Sequence, residues 1–270
     1  NPFTTIKPAD TRSKKAVDVL TDVTLSYEFF EKVLEHHSFD NSYGVINVVI
    51  NDFLGGDPTN ADSWSEKGFP VAVLRFGMEN SLSLDTIVHE YTHAVERSIS
   101  NMEYEGESGA LMDAYSDIFG EIVEEYSNQK NGNLKAQCDW IHSGRNMISP
   151  HQGSQKSPET YQGTYWVNTA DTSKSNDWGG VHHNNTVISH AAYLMNQGVG
   201  GHFEALSTEE LAHLFYETLY ILPQDCSFSQ FRSLLQTTAG IMNRQGRLSQ
   251  DQVRCVSNAF FQVGVSMADM

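Results

Sequence analysis

The chain has 270 residues and carries 34 acidic against 17 basic side chains, which gives a formal net charge of −17 at pH 7. Such a charge repels nucleic acids and anionic membrane surfaces, so we expect neither as a partner. Hydrophobic residues make up 39% of the chain, which is typical of a globular protein of one or two domains. No apolar run approaches the ~20 residues that a membrane-spanning helix needs.

Three cysteines, Cys138, Cys226 and Cys255, lack the Cys-x-x-Cys spacing of a metal or redox motif. Cys226 and Cys255 both lie near predicted helix boundaries or on helix faces in the C-terminal part of the chain. One interpretation is a disulfide between these two. The other is that all three are buried free thiols, and the sequence leaves both open.

The first predicted elements are one helix and two strands. Residues 10–36 predict a long amphipathic helix, because apolar residues recur at steps of three and four. Residues 43–50 and 71–76 are short and rich in β-branched side chains, which predicts two buried strands. Between the strands, residues 55–68 are polar and rich in Gly and Asp, and they predict a loop.

The next predicted helix, residues 84–98, contains His89-Glu-Tyr-Thr-His93. Residues i and i+4 lie on the same face of a helix, so the two imidazoles are placed to bind one metal ion. Glu90 lies about 100° further around the helix, where its carboxylate can take a proton from a metal-bound water. The alternative is a surface helix that carries these residues by chance. Apolar neighbours favour metal binding: Ile87, Val88 and Ala94.

A further helix is predicted over residues 108–126, in spite of Gly120. Asp113 and Asp117 are spaced i,i+4 on it, among apolar side chains. Carboxylates in such surroundings rarely lack a partner. The two aspartates are therefore candidates to complete a zinc site with the histidines and to orient them.

Residues 127–180 predict a long irregular region, rich in Ser, Gln, Asn, Gly and Thr, and loops of this size are often functional. The rest of the sequence predicts four helices, one of which is opened by the capping box Ser207-x-x-Glu210. They cover residues 185–197, 207–222, 228–242 and 249–263.

Four blocks in this order resemble the thermolysin family of secreted neutral metalloendopeptidases. They are His89-Glu-Tyr-Thr-His93, residues 109–120 (Gly-Ala-Leu-Met-Asp-Ala-Tyr-Ser-Asp-Ile-Phe-Gly), Asn176-Asp-Trp-Gly-Gly-Val-His182 and Ala259-Phe-Phe-Gln-Val-Gly-Val265. The resemblance implies a two-lobed α+β metalloprotease with its active-site helix between the lobes. Residues 1–104 form the implied small α/β lobe with a short sheet and the HExxH helix, and residues 105–270 the mainly α-helical lobe.

The resemblance also implies roles for the residues around the metal. The implied zinc ligands are His89, His93 and Asp113, and Glu90 is the implied base that activates the bound water. Asp117 matches the carboxylate that accepts the second N–H of a ligand histidine and so determines its tautomer.

The implied substrate-handling residues lie further from the metal. Tyr104 and His182 match the two groups that stabilise the oxyanion, and Asp177 matches the carboxylate that orients the histidine. Arg145 matches the arginine that holds a backbone carbonyl of the substrate, and Asn60 matches a substrate-binding asparagine. The alternatives are ordinary ones: a loop histidine, a packing tyrosine and a surface arginine.

The main departure from the family is Asp113, where the family has glutamate. Aspartate is shorter by one methylene but is an acceptable zinc ligand. The consequence is an adjusted active site, weakened zinc binding or a non-catalytic relic. We favour an active enzyme, because a relic has no physical need to keep the other matched residues: Glu90, Tyr104, Asp177 and His182.

Two further departures concern the N-terminus and calcium. The chain begins Asn1-Pro2-Phe3, with no initiator methionine or signal peptide, and little precedes the first helix. This is expected of a mature fragment of a precursor, or of a trimmed chain. Calcium takes about six to eight oxygen ligands, and residues 141–145 lack the expected further carboxylates, so we expect at most one calcium site. Its matched ligands are Asp85, Glu124 and Asp139.

The sequence therefore predicts a secreted, extracellular zinc endopeptidase that cleaves internal peptide bonds of proteins or peptides. The resemblance implies an apolar residue after the scissile bond, and Thr86 and Gly144 at the matched pocket positions predict a roomy pocket. We expect a monomer from which a propeptide has been removed. The rival hypothesis, motivated by Asp113 and the shortened N-terminal lobe, is a zinc-poor pseudopeptidase that binds peptides or a partner protein. A lesser alternative is a zinc aminopeptidase.

Overall fold

A computed structural model describes residues 14–80, 82–133 and 138–267. Over these residues the chain is α+β, as predicted, and residues 10–13 of the first predicted helix lie outside them. The helices are α1 Lys14–Val33, α2 Leu84–Ile99, α3 Gly106–Lys130, α4 Asp177–Asn196, α5 Gly198–Gly201, α6 Thr208–Leu219, α7 Phe228–Arg244 and α8 Gln250–Gln262. The strands are β1 Val45–Asp52, β2 Ala61–Trp64, β3 Val71–Gly77, β4 Ile141–His142 and β5 Arg145–Asn146.

The described residues divide into two compact units. The sheet unit comprises the described residues within 1–99 and 123–137, and the helical unit comprises those within 100–122 and 138–270. Helix α3 contributes to both, because the division falls between residues 122 and 123. The sequence-based division at residue 104 stays a prediction.

The sheet unit is built on three strands in the order β1-β3-β2. β1 pairs with β3 in parallel and β2 pairs with β3 antiparallel. Alternate residues of β3 are fully buried, namely Ala72, Leu74 and Phe76. Because successive side chains of a strand point to opposite faces, one face of the sheet is buried. Helix α2 packs against β2 and β3 on one side and against α1 on another, so it is firmly placed within this unit.

Strand β2 lies inside the stretch that the sequence predicts to be a loop, so that part of the prediction is wrong. Its four residues carry no run of β-branched side chains that would predict a strand. The strand is stabilised by a partner that is distant in sequence. Asp62 lies opposite Arg75 of β3, and the Arg75 guanidinium binds its carboxylate at 2.5 and 2.7 Å.

The helical unit has an aromatic core. Tyr115 of α3, Phe215 of α6, Phe231 of α7 and Phe260 of α8 are fully buried, and their rings contact one another at centroid distances of 5.2 to 6.0 Å. Helices α6, α7 and α8 each begin with a complete capping box in which a serine and the Glu or Gln three residues later exchange hydrogen bonds. Because these capping signals are local, the ranges predicted for the three helices lie close to the observed ranges.

Cys226 and Cys255 are buried free thiols, so the disulfide between them that one interpretation allows is not formed. The Cys226 thiol donates to the carbonyl oxygen of Ser227, and the Cys255 thiol donates to that of Met195. Burial raises the pKa of each thiol to about 12, so both are protonated near neutral pH.

None of the helices within the described ranges combines the length and the apolar composition that crossing a bilayer requires.

Candidate active site

Helix α2 carries the two histidines on one face. The ring centroids of His89 and His93 lie 4.7 Å apart, as the i,i+4 spacing predicts. Both histidines and Glu90 are buried, each less than 8% exposed. Two imidazoles in this arrangement are able to bind one metal ion without distortion of the helix.

Glu96 is a buried carboxylate that sequence reasoning missed. It is fully buried one helical turn after His93, and its Oε2 lies 3.0 Å from His93 Nδ1. A carboxylate at Nδ1 holds the ring in place and selects the tautomer whose Nε2 is available to a metal. The i,i+3 spacing of the two residues on a helix with a metal motif is the signal that would have identified it.

Glu90 has an environment suited to proton transfer. Burial raises the pKa of its carboxyl, and the opposing effects of His89, Arg97 and the Ser63 hydroxyl do not cancel that rise. Arg97 in turn donates to the backbone oxygen and hydroxyl of Ser63, at 3.1 and 2.9 Å. A glutamate with a raised pKa accepts a proton and holds it more readily than an exposed one does.

In the helical unit, Asp113 and Asp117 are fully buried on α3 and lie beside Arg145. The guanidinium of Arg145 binds Asp117 through two parallel hydrogen bonds, Nε to Oδ2 at 2.7 Å and Nη2 to Oδ1 at 2.6 Å. Arg145 Nη2 is also 3.6 Å from Asp113 Oδ2. Burial works to lower the pKa of Arg145, but the carboxylates of Asp117 and Asp113 outweigh it and hold that pKa above its ordinary value.

Arg145 is held in place by a small hairpin inside the region predicted to be irregular. Strands β4 and β5 pair through His142 and Arg145, and Ser143 and Gly144 form the two-residue turn with φ of 46° and 86°. Positive φ at both central residues is what a tight hairpin turn requires. His142 also lies near Asp117, with its Nε2 3.8 Å from Asp117 Oδ1.

Asn185 on α4 is a second residue that sequence reasoning missed. It is fully buried, and its Nδ2 donates to Asp113 Oδ2 and to Asp117 Oδ2, both at 2.8 Å. No local pattern identifies it, because its partners lie 72 and 68 residues earlier in the chain.

His182 lies in a chain of hydrogen bonds. Its Nδ1 is 2.6 Å from Asp177 Oδ1, and its Nε2 is 3.1 Å from the Tyr104 hydroxyl and 3.7 Å from Asp113 Oδ1. Burial works to lower the pKa of His182, but the Asp113 and Asp177 carboxylates raise it above its ordinary value. Although burial alone would raise the pKa of Asp177, its hydrogen bonds with His182 and His183 hold that pKa far below its ordinary value.

The turn before His182 has an unusual backbone. Asp177, Trp178, Gly179 and Gly180 all have positive φ, between 48° and 86°. A Cβ at Gly180 would collide with Asn184 Nδ2 at 2.5 Å, and a Cβ at Gly179 would be crowded by Gly106 Cα at 3.0 Å. The positive φ and this crowding together favour glycine at both positions.

Helix α4 begins earlier than the sequence predicts. The prediction of a start at residue 185 is wrong. Gly179 and Gly180 suggest a loop in the sequence, but the structure extends α4 back to Asp177 through a kinked opening turn. Regular helical dihedral angles follow Gly180, which places His182 in the first helical turn. Asp177 Oδ2 accepts the His182 backbone N–H at 2.8 Å, so one carboxylate binds both the backbone and the ring of His182.

The remaining predicted site residues lie elsewhere. Asn60 is exposed just before β2, and its carbonyl oxygen accepts the N–H of Gly77 at 2.9 Å. Asp85 is partly buried in the first turn of α2, and Glu124 is partly buried on α3. Asp139 is exposed, and its Oδ1 accepts the backbone N–H of Ile141 at 2.9 Å.

Relatives of known activity match nearly the whole chain. The thermostable neutral protease NprT of Geobacillus stearothermophilus is 30% identical over 268 aligned residues, which cover 93% of this chain and 45% of that protein. Gelatinase of Enterococcus faecalis is 27% identical over 271 residues, which cover 94% of this chain and 47% of that protein. The chain thus spans about half the length of the curated relatives that it matches.

A solved structure and a family of sequences agree with this similarity. The precursor of protealysin, a metalloproteinase from Serratia proteamaculans, has the same fold, with a TM-score of 0.73 at 21% identity over 96% of this chain and 81% of that chain. Residues 100–265, more than half of the chain, match the sequence model of the thermolysin metallopeptidase α-helical domain. The chain belongs to the thermolysin metallopeptidase family.

Proposed function

We propose that this chain is a zinc-dependent endopeptidase that hydrolyses internal peptide bonds of proteins. The observation that carries the proposal is the pair of buried histidines on one face of α2, with Glu90 between them, in a chain of this family. A histidine pair whose second member is already oriented by a buried carboxylate is suited to a metal.

The proposed zinc ligands are His89, His93 and Asp113. Two imidazole nitrogens and one carboxylate oxygen are a donor set that zinc accepts in catalytic sites, where a fourth position is left for water or substrate. When bound, zinc would polarise the scissile carbonyl and make its bound water more acidic. Asp113 in place of glutamate keeps the donor atom and the charge and changes only the reach of the side chain.

Glu90 is the proposed general base and acid. It takes a proton from the attacking water and later passes it to the leaving amine. Its burial supports this role, because a raised carboxyl pKa lets Glu90 keep the proton between the two steps. His89, Arg97 and the Ser63 hydroxyl act in the opposite direction on the pKa of Glu90, which favours its charged form.

Tyr104 and His182 are the proposed donors to the oxyanion of the tetrahedral intermediate. The Tyr104 hydroxyl and His182 Nε2 are 3.1 Å apart, so both are able to reach one oxygen atom. Asp177 accepts from Nδ1 on the opposite side of the ring and so holds Nε2 toward Tyr104. Donors that are already oriented require no reorganisation as negative charge develops on the oxygen.

Substrate binding is proposed to involve Arg145 and Asn60, with a preference for an apolar residue after the scissile bond. Arg145 is rigidly held by Asp117, which would allow it to bind a substrate carbonyl without further ordering. Thr86 and Gly144 are the proposed pocket positions, and the small size of both residues favours a large apolar residue of the substrate.

The test is cleavage of an internally quenched peptide with Leu or Phe after the intended cut. We expect cleavage that a chelator abolishes and zinc restores, and a cut inside the peptide rather than release of its N-terminal residue. Glu90→Gln should lose turnover and still bind one zinc per chain. Turnover by Glu90→Gln at the wild-type rate would contradict the mechanism, and a zinc-binding chain without cleavage would favour the pseudopeptidase.

We further propose that the protein is a secreted, extracellular monomer made with a propeptide, in line with the precursor form of the similar protealysin structure. A calcium site, at most one, is proposed at Asp85, Glu124 and Asp139. Thermal unfolding with and without calcium tests that site: an unchanged midpoint at millimolar calcium would remove it from the proposal.

A further inference from the structure

The feature that the mechanism above leaves unused is the amide of Asn185. Two carboxylates, Asp113 and Asp117, are fully buried one helical turn apart on α3. Arg145 supplies one positive charge beside them, and two of its N–H groups bind Asp117. Two buried negative charges beside one guanidinium need further hydrogen-bond donors. Asn185 on α4 provides them.

The orientation of the Asn185 amide follows from its neighbours. Its Nδ2 lies 2.8 Å from an oxygen of each aspartate, and both of these groups are acceptors. An amide group with two N–H bonds is able to satisfy both at once, whereas its oxygen would be repelled by both. The amide therefore faces the carboxylates with its nitrogen.

The two oxygens of Asp113 have different neighbours. Oδ2 accepts from Asn185 at 2.8 Å and is 3.6 Å from Arg145 Nη2. Oδ1 lies on the side of the proposed oxyanion donors, 3.5 Å from the Tyr104 hydroxyl and 3.7 Å from His182 Nε2. The hydrogen bond from Asn185 thus determines which oxygen faces the reacting groups.

We propose that Asn185 is a positioning residue that holds Asp113 by its Oδ2 so that Oδ1 is presented to zinc. The proposal rests on the proposed function, in which Asp113 is a zinc ligand. The physical reason for this role is that Arg145 competes with zinc for the Asp113 carboxylate. Without the amide, the Asp113 carboxylate is able to turn toward the guanidinium 3.6 Å away, where a salt bridge would compete with metal binding.

The measurement is the zinc dissociation constant of the full chain, stripped of metal and titrated in competition with a chromogenic zinc chelator. Loss of a group that orients a ligand typically weakens metal binding 10–100-fold, and we expect about that loss for Asn185→Ala. The matched control is Asn184→Ala. Asn184 is also fully buried, but it bonds to the backbone of Val167 and Gly179, so its zinc affinity should stay within about twofold of wild type.

A double variant separates positioning from a general structural effect. If Asn185 acts through Asp113, Asn185→Ala should cost no more than about twofold in zinc affinity when Asp113→Ala is already present. An equal loss in both backgrounds would overturn the proposal, and so would a single variant within about twofold of wild type. If Asn185→Ala does not fold, Asn185→Ser, which keeps one donor, is measured with and without Asp113→Ala under the same criteria.

A failure of the proposed function would give different results from a failure of the positioning role. A wild-type chain that binds no zinc, or an Asp113→Ala variant that binds zinc as tightly as wild type, would remove Asp113 from the ligands and this inference with it. Tight zinc binding that depends on Asp113 but not on Asn185 would overturn the positioning role alone.

Discussion

Three buried or partly buried ionisable side chains near the proposed chemistry each have an oppositely charged partner. His93 is paired with Glu96, His182 with Asp177, and Arg145 with Asp117. An unpaired buried charge costs several kcal/mol, so the pairs are needed for folding as well as for chemistry. The same contacts hold the side chains in one orientation. Stability and preorganisation are therefore consequences of the same hydrogen bonds.

Removal of the Asp177 carboxylate should slow catalysis more than it weakens substrate binding. In Asp177→Ala, His182 loses the group that orients its ring, so we expect kcat to fall about 10–100-fold with little change in KM. The variant also loses the acceptor of the His182 backbone N–H and should unfold more easily by about 1 kcal/mol. His183→Gln changes the other histidine beside Asp177 and should keep wild-type kcat. Equal kcat for Asp177→Ala and wild type would contradict the role of Asp177.

Asp22 on α1 predicts a pH dependence of stability. Burial, and then repulsion from Asp18, raises its pKa from 3.8 to about 6. The folded state therefore binds this proton more tightly than the unfolded state, so the charged carboxylate destabilises the fold above about pH 6. That cost falls as the pH drops from about 6 toward 4 and is absent below.

Asp22→Asn should consequently stabilise the protein by about 1 kcal/mol at pH 7.5, after allowance for partial exposure, and by nothing measurable at pH 3.5. Urea denaturation at the two pH values measures the difference. Glu35→Gln, which removes a charge at an exposed position after the same helix, should show no such difference. A gain for Asp22→Asn that is the same at both pH values would show that the charge is not its cause.

At the level of the elements, the helix starts differ in what determines them. Helices α6, α7 and α8 begin at capping boxes, in which every partner lies within three residues. Helix α4 instead opens with four residues of positive φ, Asp177–Gly180, where Gly106 crowds Gly179 and Asn184 crowds Gly180, so that glycine is favoured at both positions. The strained turn persists because packing and the hydrogen bonds of Asp177 outweigh its conformational cost.

Loss of one capping box should lower the free energy of unfolding by a moderate amount. Ser227 accepts the N–H of Gln230, and Gln230 accepts the N–H of Ser227. Ser227→Ala should lower the free energy of unfolding by about 1 kcal/mol in urea denaturation. Ser229→Ala makes the same chemical change two residues later, outside the cap, and should stay within about 0.5 kcal/mol of wild type. A cost at Ser229 equal to that at Ser227 would contradict the capping explanation.

On the scale of the whole molecule, stability depends on two apolar cores, one in each unit. The helical core is aromatic, and Phe260 and Phe261 allow a direct comparison there, since Phe260 is fully buried and Phe261 is 72% exposed. Phe260→Ala should lower the free energy of unfolding by about 3–5 kcal/mol, because it removes buried apolar surface and leaves a cavity. Phe261→Ala should change stability by less than about 0.5 kcal/mol in the same urea denaturation. Similar costs at the two positions would contradict the burial assigned to them.

The predictions from sequence were most accurate where the determining contacts are local. Strands β1 and β3, helices α1, α2 and α3, and the capped helices lie close to the predicted ranges. The same applies to the histidines of α2, because the helical period by itself brings residues i and i+4 together. Strand β2 was missed because its pairing depends on Arg75 of another strand.

The sequence by itself therefore determined the α+β class, the family and the residue types that its chemistry needs. Only the tertiary structure decided which groups hold those residues. The Asn185 amide bonds to aspartates about 70 residues away, and Arg145 reaches Asp117 across 28 residues. No periodicity relates such positions, since their proximity depends on how separate helices pack. Packing also placed His182 in the first turn of α4, where one carboxylate binds both its backbone and its ring.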